Sequence, residues 1–181
     1  MRRSAELLRS PVLDLIQIHN LLDWRTHLAT LRKMRADMQV RYIGITHYRT
    51  GSLPELARIL ESEPGIDFVQ FGYSLASRDA ETRLLPVAAK RGVATIVNQP
   101  FETADMFRRV RGKALPQWAA EFGCTSWAQL FLKYIVAEPA VTCVIPATAN
   151  PVHMADDAKA GIGRLPDARQ RQKIRQLWDS L

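Results

Sequence analysis

The chain has 181 residues, 47% of them hydrophobic, and a formal net charge of +7, which is enough for one buried core and argues against two large domains. Its densest basic stretches, residues 108–113 and 169–175, lack the interleaved aromatics of a nucleic-acid platform, so no nucleic-acid partner is expected. Apolar runs are broken by charge well before the roughly 20 residues that span a bilayer, so no membrane partner is expected either.

Residues 1–9 have basic residues without an apolar stretch after them. They are not a secretory signal and read as the last turns of an amphipathic helix. The compartment is taken as the cytoplasm by default, any export signal lying upstream of Met1. Cys124 and Cys143 have neither metal-ligand nor disulfide-framework spacing, and both are expected to act as small hydrophobes, Cys143 in a buried strand.

Five short apolar runs each end in polar residues and lead into a helix-patterned stretch. The first, residues 13–18, ends at His19, and Trp24, Leu28 and Leu31 mark the inner face of the helix after it. The second, residues 42–45, ends at Thr46 and His47; Ser52, Leu53, Pro54 and Glu55 then have the form of a capping box, before a stripe of Leu53, Leu56, Ala57 and Leu60. The third, residues 68–71, carries Gln70, and a helix is expected over residues 79–90, stopped by Arg91 and Gly92.

The fourth run, residues 93–97, ends at Asn98 and is followed by Pro100 and Phe101, then a weakly patterned loop to Lys113. Helices are expected over residues 116–122 and 126–138, the second capped by Ser126 and Gln129 with an aromatic core stripe. The fifth run, residues 142–145, feeds Thr148, Asn150 and a helix beginning at Pro151, where His153 lies one turn in; a terminal helix follows over residues 166–179. Apolar strands alternating with amphipathic helices predict βα units around a parallel sheet buried on both faces. Ligands collect at the carboxyl ends of such strands. Five strands are too few to close a (β/α)8 barrel, so two long strand edges are expected to stand unpaired, favouring self-association.

These phrases, in this order and at these intervals, resemble the aldo-keto reductase family over nearly the whole chain. The stretches that carry the resemblance are residues 14–19, 40–46, 68–70, 92–101, 125–134 and 144–157. The resemblance implies an α/β fold, the C-terminal part of a (β/α)8 TIM barrel with about five parallel strands, the fourth to the eighth. It implies one domain over residues 1–181, without the first three βα units.

By resemblance the activity is NADP- or NAD-dependent hydride transfer to an aldehyde or ketone, a small-molecule carbonyl substrate. His19 corresponds to the histidine of the family's catalytic Asp-Tyr-Lys-His set, orienting the carbonyl. Thr46, His47 and Gln70 fall where the nicotinamide carboxamide is held, Asn98, Pro100 and Phe101 beside the nicotinamide and pyrophosphate, and Thr148, Asn150, His153 and Asp157 on the adenosine-phosphate segment. No metal is implied.

The chain also departs from the family pattern. Asn98 replaces an aromatic residue expected to stack on the nicotinamide. Ala147 stands where many members have Lys, His153 where they have Arg, and Asp157 replaces an Asn, all of which argue against a preference for NADP's 2′-phosphate. Counterparts of the catalytic Asp, Tyr and Lys are absent, so the chain is expected to be truncated and inactive alone. The alternative is a catalytically dead barrel remnant that binds dinucleotide or serves as a subunit.

Overall fold

A computed structural model describes residues 2–181. After a helix α1 (Arg2–Leu8), the chain alternates through β1 (Leu13–His19), α2 (Trp24–Ala36), β2 (Val40–His47), α3 (Leu53–Ser62), β3 (Phe68–Gly72), α4 (Leu84–Arg91) and β4 (Ala94–Asn98). It continues through α5 (Asp105–Arg109), α6 (Trp127–Val136), β5 (Cys143–Val144), α7 (Pro151–Ala158) and α8 (Ala168–Ser180). The five strands form one sheet in the order β1-β2-β3-β4-β5, and every neighbouring pair is parallel. The expected α/β architecture is therefore present. No helix is long and apolar enough to cross a membrane among the described residues.

Register divides the side chains between two faces, because successive strand residues alternate. Ile43, Ile45, Val69, Phe71 and Val97 are fully buried beneath the helices. Helix α3 packs Leu53, Leu56, Ala57, Ile59 and Leu60 into the same core. Truncating one of these, Leu56→Ala, costs about 2–5 kcal/mol because the cavity left behind adds to the lost burial.

The opposite face is open. A complete parallel sheet is buried on both faces, whereas an incomplete barrel leaves its interior side chains in water, and the second holds here: Tyr42 and Ile145 are each 47% exposed and Cys143 is exposed. Helices pack on one side only, so the side that faces the axis of a closed barrel is open here. Cys143 is a correction for the same reason. Its strand is short and terminal, and its side chain, in register with Ile96, points to the open face rather than into the helix-covered core. The predicted pair of long free edges is also corrected: β1 presents seven residues, whereas β5 pairs over only two.

Two local predictions change. The Ser52 side chain makes no capping bond, because a 3-10 turn over Thr50–Ser52 already holds that residue in a helical conformation. A capping box forms instead at Asp167 and Gln170, ahead of α8. Residues 79–90 form a 3-10 turn, Asp79–Glu81, and then α4, rather than one helix. Gly92 does end α4, with φ of 66°, a left-handed conformation that glycine adopts without strain.

Candidate active site

The strand ends bring most of the predicted polar residues to one rim. His19 is in register with Thr46, and Thr46 with Gln70, so the three side chains share the open face. Asn98 reaches the same face one step further on, in register with Gly72. His47 does not join them. Its partner is Phe71, on the helix-covered side, and its ring stacks on Tyr48 with centroids 5.7 Å apart. The backbone N–H of Arg49 donates to His47 Nδ1 at 3.1 Å. Burial, aided by the positive charge of Arg49, lowers the His47 pKa and favours the neutral ring.

Beside the rim lies a cavity of about 960 Å³, lined by the segments after β4 and β5 and by the starts of α6 and α7. Its wall includes Asn98, Pro100, Phe101, Thr148, His153 and Asp157, six of the residues singled out from sequence. Asn98 belongs both to the rim and to the cavity wall, whereas His19, Thr46 and Gln70 do not line the cavity. A cavity of this size takes a small ligand or half of a dinucleotide. Its apolar wall comes from Phe101, Phe107 and Trp127; Phe101 and Phe107 pack at 4.9 Å between centroids. Phe107 and Trp127 were not read from sequence as site residues, the second because its place in an amphipathic stripe marks it first as core.

Some predicted residues are occupied by their own loop. Asn150 Oδ1 accepts from the Val152 N–H at 2.9 Å and caps α7, while Thr148 Oγ1 accepts from the Asn150 N–H at 3.1 Å. Asn150 does not line the cavity. Helix α7 is tied to α6 by Asp156, which also lines the cavity and whose carboxylate accepts from Ser126 Oγ at 2.5 Å and Gln129 Nε2 at 2.6 Å. Asp157, beside it, has no hydrogen-bond partner of this kind among the described residues. It is 7% exposed and lines the cavity. Burial, with the charge of Asp156 added, raises its pKa.

Two features recur near this end of the sheet, although left-handed residues also occur at Arg9 and Met38. Left-handed backbone at non-glycine residues recurs after β1, at Asn20, Leu21 and Asp23, and after β4, at Gln99, Glu102, Thr103 and Ala104. Such conformations each cost energy and gather at ligand sites. The second feature is unmet hydrogen bonding: Gln17 Oε1, Asn20 Oδ1 and Asn98 Oδ1 are buried without a partner. At Gly72, an added Cβ would lie 3.1 Å from Tyr48 O, 3.2 Å from Gln99 Oε1 and 3.5 Å from Asn98 Oδ1. Acceptors crowd that point, which fits a donor such as an amide or a ribose hydroxyl.

A family model described as aldo/keto reductase family matches residues 1–179. The chain belongs to the aldo/keto reductase family. Solved structures similar to it include the aldo-keto reductase AKR11C1 from Bacillus halodurans in its holo form, with a TM-score of 0.78 and 19% identity over 97% of this chain and 64% of that one. An aldo/keto reductase from Klebsiella pneumoniae, in complex with NADP and acetate, has a TM-score of 0.77 and 22% identity, over 98% of this chain and 62% of that one. The glycerol dehydrogenase AKR11B4 from Gluconobacter oxydans has a TM-score of 0.77 and 15% identity, over 99% and 62%. At these identities the likeness is one of fold. This family member spans just under two thirds of the length of each of these three structures. No curated protein matches its sequence.

Proposed function

We propose that this chain binds a nicotinamide dinucleotide along the cleft from His19 to Asp157, in the service of reducing an aldehyde or ketone. The observation that supports this most is that Asn98 stands both among the polar strand ends and in the wall of the cavity. The dinucleotide supplies a hydride. Gln70 and Thr46 hold the carboxamide end, Asn98 Oδ1 accepts from a donor on the ligand, and the aromatic wall packs the adenosine half. His19, whose side chain is exposed at the rim, donates a hydrogen bond to the substrate carbonyl oxygen and stabilises charge growing there.

NADH is the preferred form in this reading. Asp157 offers acceptors to a ribose 2′-hydroxyl and repels a 2′-phosphate, and neither Ala147 nor His153 replaces a fixed cation. With His19 as the one counterpart of the catalytic set within these residues, proton delivery has no tyrosine, and the chain alone is expected not to turn over.

The test is a tryptophan-fluorescence titration of the purified chain with NADH and NADPH, since Trp127 lines the cavity. Saturable binding with NADH tighter is expected. No saturable response to either nucleotide overturns the binding proposal, and carbonyl-dependent NADH oxidation by the chain alone overturns the expectation of inactivity.

A further inference from the structure

Gln17 lies in the middle of β1, two residues before His19, on the open face of the sheet. Its side chain crosses β2 and reaches β3, where Gln17 Nε2 donates to Gln70 Oε1 at 2.6 Å. The crossing passes over Gly44, Gln17's register partner. A Cβ on Gly44 would sit 2.9 Å from Gln17 Cγ, 3.0 Å from Gln17 Oε1 and 3.1 Å from the Phe68 carbonyl oxygen. Any other residue there displaces Gln17. A glycine inside a strand weakens it and marks a close approach.

Gln17 Oε1 has no partner, although it is buried. Two locally unfavourable features, a mid-strand glycine and an unmatched acceptor, thus accompany a single hydrogen bond. That bond occupies one of the two lone pairs of Gln70 Oε1 and turns its NH2 group outward as the donor edge offered to a ligand.

We propose that Gln17 is a positioning residue for the nicotinamide end of the site: by holding Gln70 Oε1 across Gly44, it fixes the Gln70 amide so that its N–H donors face the carboxamide oxygen. This rests on the dinucleotide-binding reading above. It assigns to Gly44 a role in that site, as the gap through which Gln17 passes. Without Gln17, the Gln70 amide turns freely about its last torsion, and half its orientations present an acceptor to an acceptor.

The test compares NAD+ with ADP-ribose, which lacks the nicotinamide, by calorimetric titration of the whole chain and of Gln17→Leu and Gly44→Ala. Wild type is expected to bind NAD+ more tightly than ADP-ribose. Both variants should lose about fivefold in NAD+ affinity, the size of one neutral hydrogen bond, with ADP-ribose affinity unchanged. Because the two substitutions act from different strands, a folding defect in one leaves the other to report, and melting curves identify such a defect. Equal losses for both ligands, or no loss for either, overturn the positioning role while leaving dinucleotide binding intact. Wild type that binds neither ligand overturns the dinucleotide reading, and the positioning role with it.

Discussion

The hydroxyl of Tyr134, on α6, donates to Glu81 Oε1 at 2.6 Å. That carboxylate also accepts from Tyr73 at 2.6 Å and from the guanidinium groups of Arg171 and Arg175, at 3.2 and 2.6 Å. One side chain thus ties the segment after β3 to α6 and α8. Burial alone would raise its pKa, but the two hydroxyls with Arg175 and Arg171 outweigh burial and hold it below the ordinary range. Tyr134 is pushed the other way, up to about 12, chiefly by burial. Both shifts keep the phenol a donor and the carboxylate an acceptor at neutral pH.

Glu81→Gln is expected to destabilise the fold by about 3 kcal/mol, because in a largely buried setting it strips Arg175 of its charge partner and leaves Arg171 only Glu138. Urea unfolding measures it. A loss under 0.5 kcal/mol would show the network to be dispensable.

The same group gives the fold a pH dependence of known sign. A lowered carboxylate pKa contributes stability that is present above its ordinary 4.5 and lost as pH falls through the lowered folded value. The stability difference between wild type and Glu81→Gln should therefore be constant from neutral pH down to about 4.5 and shrink below it. Melting curves of the two proteins across that range read the difference directly.

Asp157→Asn removes one of the two carboxylates lining the cavity, the one proposed to face the ribose. NADPH binding should improve about tenfold relative to NADH, on the order of the repulsion between charges at the edge of a protein. Parallel titrations of variant and wild type give the ratio; an unchanged ratio places the 2′-phosphate away from Asp157.

Asp156→Ala cuts the link between α7 and α6. Two hydrogen bonds to a charged acceptor are lost, for about 2–3 kcal/mol of stability, and the α7 wall of the cavity loosens with them. Dinucleotide affinity should fall together with the melting temperature. A melting temperature that holds while affinity drops would make Asp156 a ligand contact instead.

The open face of the sheet is expected to bind a hydrophobic dye in the native state, with Tyr42 and Ile145 the large exposed side chains on it. Lysine at each position should reduce the dye signal and change stability by no more than about 0.5 kcal/mol. An absent signal in the unaltered chain would mean that this face is covered in solution.

The strand positions were legible because each combines an apolar run with a polar end, and the helices because Leu53, Leu56, Ala57 and Leu60, or Trp127, Leu130, Phe131 and Tyr134, recur at helical spacing. His19 and Thr46 stood out from the same pattern, as polar residues ending apolar runs; Gln70 stood out as a polar residue within its run, and the place of Asn98 in the site came from the family resemblance. Gln17 did not stand out. It sits within the strand rather than at its end, and its importance depends on what lies across from it. The role of Asp156 was equally hidden, because an acid on a helix usually faces water.

Local sequence determined which residues are strands, which helices, which face of each is apolar and which end of each strand is polar, because these follow from side-chain size, polarity and spacing of 2 or 3.6 residues. Tertiary structure decided what that periodicity does not encode: the side of the sheet the helices cover, the cavity that brings Asn98 beside Asp157, and the reach of Gln17 over Gly44 to Gln70. Each depends on the register between strands and the packing between helices. Those are set by the sum of many contacts between distant segments, none of which any single segment contains.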